Sequence, residues 1–112
     1  MSVAVSLADL PAATERQIGW CYLLTVSDKG QARVLAIAPQ WVLDDTALRA
    51  DVGRGTAENA AERSLVSLVW PPADAGGYSL IADGVAHVEG LTLTFTPTSA
   101  VLHRPAISDG DS

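Results

Sequence analysis

The chain has 112 residues, seven basic and thirteen acidic side chains, and a formal net charge of −6. Domains average about 150 residues, so residues 1–112 are expected to form a single domain with one core. At 48% hydrophobic and 18% charged the chain is not disordered, and its acidity argues against nucleic acid or an anionic membrane as partner.

Residues 1–6 lack the basic segment of a signal peptide, and they are predicted to fray, as are residues 106–112. No apolar run approaches the roughly 18 residues of a membrane span. Cys21 is the single cysteine, so no intramolecular disulfide can form and a reducing cytoplasm is the expected location. Its apolar surroundings predict a buried packing residue. Lys29 is the single lysine while Arg and Ala abound, a composition typical of GC-rich bacterial genomes.

Ser6 and Asp9 form an S-x-x-D capping signal, which predicts a helix from Leu7 to about Gly19. The period then shortens. Tyr22 to Val26 reads as a strand, Asp28-Lys29-Gly30 as a hairpin turn, and Gln31 to Ala38 as the return strand, stopped by Pro39. Trp41 to Leu43 is a short strand, Asp44-Asp45-Thr46 a turn, and Ala47 to Val52 a further strand. Thr56 is placed as the N-cap of a helix through Arg63, with Glu58 in its first turn. Leu65 to Trp70 is nearly all apolar and is predicted to be buried on both faces. Tyr78 to Glu89 is one long strand, in which Gly84 marks a bulge or a close approach. Gly90 turns into Leu91 to Thr96, and a short helical turn is predicted between Pro97 and Arg104. Short antiparallel strands with few helices point to a mainly β fold, a six-stranded antiparallel barrel whose closure protects its edges.

The segment from Asp51 to Asn59 carries the most chemistry. A strand ends, Gly53 and Gly55 allow a sharp turn, and a helix begins beside Arg54 and Thr56. Free amides at a helix start, a hydroxyl and a guanidinium make a competent phosphate cradle. A capped helix after a glycine turn accounts for the same residues without a ligand. The segment is neither a dinucleotide fingerprint nor a P-loop, since Glu58 breaks the first and no G-K-[ST] follows. Arg33, mid-strand among apolar neighbours, is either a solvated edge residue or a second cation for the same anion. Trp20, Trp41 and Trp70 read as packing residues. His87 and His103 lack the spacing of a metal site, and no catalytic triad has supporting context. No catalytic side chain and no metal ligand is therefore assigned.

Tyr22-Leu23-Leu24-Thr25-Val26 followed by Asp28-Lys29-Gly30-Gln31-Ala32-Arg33-Val34 resembles the first hairpin of the pyridoxamine 5′-phosphate oxidase-like family, the FMN- or F420-binding split β-barrels. The ordered elements after it resemble that family too: Leu48 to Val52, Arg54 to Thr56 with Asn59, Ser64 to Trp70, and Gly84-Val85-Ala86. The resemblance spans roughly residues 7–95 and implies a six-stranded split barrel of a small bacterial member. It also implies a homodimer with the cofactor at the subunit interface. Carried over residue by residue, Arg33, Val34, Leu35 and Ala36 would form one wall of the cofactor site and Asp51, Val52, Arg54 and Thr56 the other. The implied function is an oxidoreductase in which bound FMN transfers hydride and the barrel positions it. Ala57 stands where the family often has a lysine, and the helical segment that often follows the Gly-x-Ala strand is missing. An F420-dependent reductase and a cofactor-free dimeric binding module remain alternatives, with haem binding through His87 or His103 a third.

Overall fold

Alternation of apolar and polar residues builds most of the molecule. In the computed structural model, which describes residues 2–106, Cys21, Leu23 and Thr25 face inward from one strand and Val66, Leu68 and Trp70 from its neighbour. Eight strands result: β1 (Ser2–Val5), β2 (Cys21–Val26), β3 (Ala32–Ile37), β4 (Gln40–Val42), β5 (Ala47–Asp51), β6 (Leu65–Trp70), β7 (Ser79–Glu89) and β8 (Thr92–His103). Two helices join them, α1 (Leu10–Glu15) and α2 (Arg54–Glu62). The strands form one antiparallel sheet in the order β3-β2-β6-β7-β8-β5-β4, with β1 also pairing β8. β3 and β4 follow each other in sequence yet end the sheet on opposite sides, which leaves the curled sheet as a split β-barrel.

The expected fold class therefore holds, with eight strands rather than six. The N-terminal β1 is unexpected, and the short strand expected at Trp41–Leu43 is present as β4, an edge strand beyond the six. Residues 2–5, predicted to fray, pair through their backbone with Ala100–His103. That strand has no apolar alternation to announce it, because three of its four residues are exposed. The predicted fraying of residues 107–112 lies outside the described residues.

Two further expectations change for identifiable reasons. The helical turn predicted after Pro97 is instead a continuation of β8. The β7–β8 register passes from Gly84↔Pro97 to Asp83↔Ser99, so Thr98 is an extra residue on β8. This bulge accommodates the proline, which cannot donate to a ladder. It also resets the alternation: Leu93, Phe95 and Pro97 are buried, and the next buried position is Ala100. The close approach expected at Gly84 is real, since a β-carbon there would stand 2.4 Å from the Thr96 carbonyl oxygen. β6 is buried on one face rather than both, with Leu65 exposed and Ser67 and Val69 half-buried.

The first helix is shorter than predicted. Ser6 does cap it, accepting from the Asp9 amide at 3.2 Å, but the first turn is a 3₁₀ turn over Leu7–Asp9 and α1 ends at Glu15. Gln17 leaves the helix to reach the chain elsewhere: its Nε2 donates to the carbonyls of Trp70, Pro71 and Tyr78 at 3.3, 2.9 and 3.0 Å. That one amide fastens both ends of the β6–β7 loop. The turn at Asp44-Asp45-Thr46 is present, and Leu43, Asp44 and Asp45 all take left-handed φ angles of 55°, 56° and 61°. The core gathers Leu10, Leu23, Leu48, Leu68, Trp70, Leu80, Leu93 and Phe95, with Ala57 and Ala60 of α2 laid against it.

Candidate functional site

The start of α2 is set by glycine, not by threonine. Gly53 occupies the N-cap position with extended backbone, the helix begins at Arg54, and Thr56 lies in its first turn. The predicted cap at Thr56 is thus three residues late, and Glu58 falls in the second turn. Gly53 has no side chain to satisfy the opening amides of the helix. The first intrahelical bond runs from the Ala57 amide to the Gly53 carbonyl at 2.9 Å, so the amides of residues 54–56 are the free donors of the helix start.

β3 supplies the facing wall. Its hairpin with β2 pairs Thr25 with Arg33, Leu24 with Val34 and Leu23 with Leu35. Ala32, Arg33, Val34 and Leu35 then line an open groove of about 400 Å³ together with Gly55, Thr56 and Asn59. A guanidinium, a hydroxyl, an amide and the positive end of a nine-residue helix meet there, which is the donor set an anion requires. No heavy atom lies within 4 Å of where a Gly55 β-carbon would stand, so a ligand can approach that backbone closely. Asn59 accepts a 3.5 Å bond from Arg63 on Oδ1, which leaves its Nδ2 hydrogens as donors. Arg63 in turn ties α2 to the end of β2 by donating to the Val26 carbonyl at 2.6 Å.

Of the residues expected to hold a cofactor, Arg33, Val34, Leu35 and Thr56 come together in this groove. Ala36 is exposed further along β3 and does not line it. The other three lie elsewhere. Arg54 shares a helix face with Ala57, Glu58 and Ala61 and lines a separate groove with Val88 and Leu91, because positions 54 and 55–56 point different ways around a helix. Asp51 accepts from the Thr92 hydroxyl at 3.1 Å and borders a third groove with Gln40 and Arg49. Val52 is buried in the core.

One polar group near this groove has no counterpart in the sequence expectations. Thr25 is 0% exposed, and its hydroxyl is the one buried side-chain polar atom without a hydrogen-bond partner among the described residues. It pairs with Arg33 and so shares the inner face with it. An unsatisfied buried hydroxyl costs about 1–3 kcal/mol. A threonine in a strand is ordinary, and no sequence signal could mark this one.

The remaining candidates resolve into structure. Burial pushes the Cys21 thiol up to about 12, so it is protonated and inert at neutral pH. Trp70 is in the core, Trp41 donates to the Thr14 hydroxyl at 3.0 Å, and Trp20 packs edge-on against Tyr22. His87 is exposed and 3.2 Å from Glu89, and His103 is 3.1 Å from the Ser2 hydroxyl. Among the described residues no three His, Cys, Asp or Glu side chains gather as metal ligands, and no helix is long and apolar enough to cross a membrane.

No model of a known protein family matches the sequence. Two curated mycobacterial proteins do: Mb0449c of Mycobacterium bovis and MT0457 of Mycobacterium tuberculosis, both described as uncharacterized. Each is 34% identical over 124 aligned positions, which cover 96% of this chain and 80% of the relative. The chain belongs to their family. Its fold is that of the pyridoxine-phosphate-oxidase-like split barrels. A solved Clostridium acetobutylicum protein described as related to general stress protein 26, of the pyridoxinephosphate oxidase family, superposes with a TM-score of 0.68 at 12% identity, over 89% of this chain and 91% of that one. A protein described as an F420 reductase superposes at 0.62 and 15% identity, over 76% and 90% of the two chains. An FAD-binding protein from Mycobacterium smegmatis does so at 0.59 and 17%, over 93% and 100%. This chain thus shares the architecture of proteins whose descriptions name F420 or FAD.

Proposed function

We propose that this chain binds a phosphorylated flavin-type cofactor, with FMN as the first ligand to test, in the groove between β3 and α2, and that it acts as a dimeric oxidoreductase. The observation that carries the reading is the convergence of Arg33, Thr56, Asn59 and the free amides of α2 on one groove of a split barrel. The donor set fits a phosphate. Arg33 would neutralise its charge, Thr56 and the amides of residues 54–56 would donate to its oxygens, and Gly55 would let it approach the backbone. When bound, such a cofactor supplies hydride transfer. The chain's own residues bind and orient it, and none needs to act as acid or base.

The homodimer is part of the same proposal. Val34 lies on the groove and also on the outer face of the sheet, where it pairs with Leu24. Tyr22, Val69 and Ile81 continue that face across β2, β6 and β7, and Leu65 and Val85 extend it. Val34 is 58% and Leu65 76% exposed, so this largely apolar face, broken by the hydrogen-bonded Ser67–Asp83 pair, is uncovered in the single chain. A second copy seated there would wall the open side of the groove.

The test is the visible spectrum of the purified protein, then titration with FMN, F420 and FAD alongside sedimentation. Saturable micromolar binding of one of them by a dimer is the expected result. A colourless protein that binds none refutes the cofactor reading and leaves a binding module. One observation favours that second reading: Ala57 is buried in the core, so the helix start supplies no lysine to the groove.

A further inference from the structure

We propose that the Thr25 hydroxyl is a ligand-binding donor, held unpaired beneath Arg33 until the groove is filled. The inference rests on the cofactor reading above and adds to it a residue that the family resemblance does not supply. Its basis is independent of the groove's shape. Thr25 is fully buried with an unpartnered Oγ1, where the isosteric valine would carry no unpaired hydroxyl. The β2–β3 register sets it directly across from Arg33, on the same face of the sheet, with their β-carbons about 5 Å apart. Arg33 is exposed and makes no ion pair among the described residues, so its long side chain is free to turn outward to an anion. Arg33 and Leu35, which share that face, line the groove and Thr25 lies behind them; on this proposal Arg33 turns outward with the anion and brings the Thr25 hydroxyl within reach of a ligand oxygen.

This makes Thr25 a specificity-determining residue. A ligand lacking an acceptor at that depth leaves the hydroxyl unpaired, whereas one that carries it gains a bond in a dry site.

Three variants test the assignment by binding and by thermal unfolding of the ligand-free protein. Thr25→Val removes the hydroxyl and keeps the shape. It is expected to raise the unfolding temperature by several degrees and to weaken binding of whichever flavin the wild type takes by at least fivefold. Thr25→Ser keeps the hydroxyl and should bind within twofold of wild type. Thr25→Ala deletes the hydroxyl by a second route should the valine variant misfold, and the same loss of affinity is expected. Wild-type affinity in the valine or alanine variant overturns the proposal while leaving the cofactor reading intact. A valine variant less stable than wild type overturns it too, because the hydroxyl would then already have a partner. If wild type binds none of FMN, F420 and FAD, the cofactor reading itself fails and this inference with it.

Discussion

Gly84 and Gly55 are both glycines without a left-handed φ, yet alanine should act on them in opposite directions. At Gly84 the new β-carbon would stand 2.4 Å from the Thr96 carbonyl oxygen and 2.6 and 2.7 Å from two Phe95 ring carbons. Ordinary contact begins at 3.4 Å, so something must move by about 1 Å. Phe95 is 1% exposed and has no space to retreat into, and the Thr96 oxygen belongs to a backbone held in the β7–β8 ladder. Overpacking costs about 1–3 kcal/mol in general, and a backbone atom among the obstacles puts this case at the upper end, about 3 kcal/mol. For a domain of this size that lowers Tm by roughly 12 °C. Gly55 is the counterpart: nothing lies within 4 Å, and the residue is in a helix. Gly55→Ala should stabilise the fold by about 0.5 kcal/mol through the unfolded chain. Urea unfolding of both variants, read at unchanged m-value, checks the pair. A Gly84→Ala protein within 1 kcal/mol of wild type (about a third of the expected cost) would show that Phe95 and the β8 backbone yield to the added methyl.

Other outcomes follow from the geometry. Arg33→Ala should weaken flavin binding by about tenfold or more, since a hydrogen bond to a charged group is worth about 1.5–3 kcal/mol. Arg54→Ala, whose side chain lines a different groove, should change affinity by less than about threefold, under 0.7 kcal/mol; the reverse ranking in a titration would move the anion to the other face of α2. The Cys21 thiol ionises at 9.0 in the unfolded chain and near 12 when folded, so the folded state keeps a proton that the unfolded state loses. Stability should therefore fall as pH rises from 9 towards 12, and Cys21→Ala should flatten that decline. Equal slopes for the two proteins in denaturant series across that range would show that the thiol is not the cause. Gln17→Ala strands three carbonyls and should cost about 1–3 kcal/mol. Amide exchange should speed up first in residues 71–78, and uniform acceleration would contradict the anchoring role.

The sequence made the hairpins legible because their chemistry is local. Gly30 and Gly90 take the positive φ angles their turns require, and β2, β5 and β7 end within a residue or two of where the pattern places them. What stayed hidden was decided at a distance. β1 exists because β8 offers it a free edge, and nothing within Ser2–Val5 says so. β8 passes through Pro97 because Asp83 and Gly84 on another strand leave room for a bulge. Gly53 displaced Thr56 as the cap because a glycine in extended backbone suffices to start a helix. The site divides along the same line. Arg33, Val34, Leu35 and Thr56 were reachable through an ordered resemblance of motifs. The distribution of Arg54 and Asp51 into other grooves depends on helix and strand faces, which a motif does not record.

The position of β1 also bears on how the protein is made. Its strand partner among the described residues is the final segment of β8, Ala100–His103, so β1 leaves the ribosome long before the segment that pairs it. The hairpin β2–β3 can close as soon as it emerges, and β6–β7 soon after, whereas Ser2–Val5 must wait for the end of β8. During that interval its backbone donors and acceptors are open to any other exposed edge, including that of a neighbouring nascent chain.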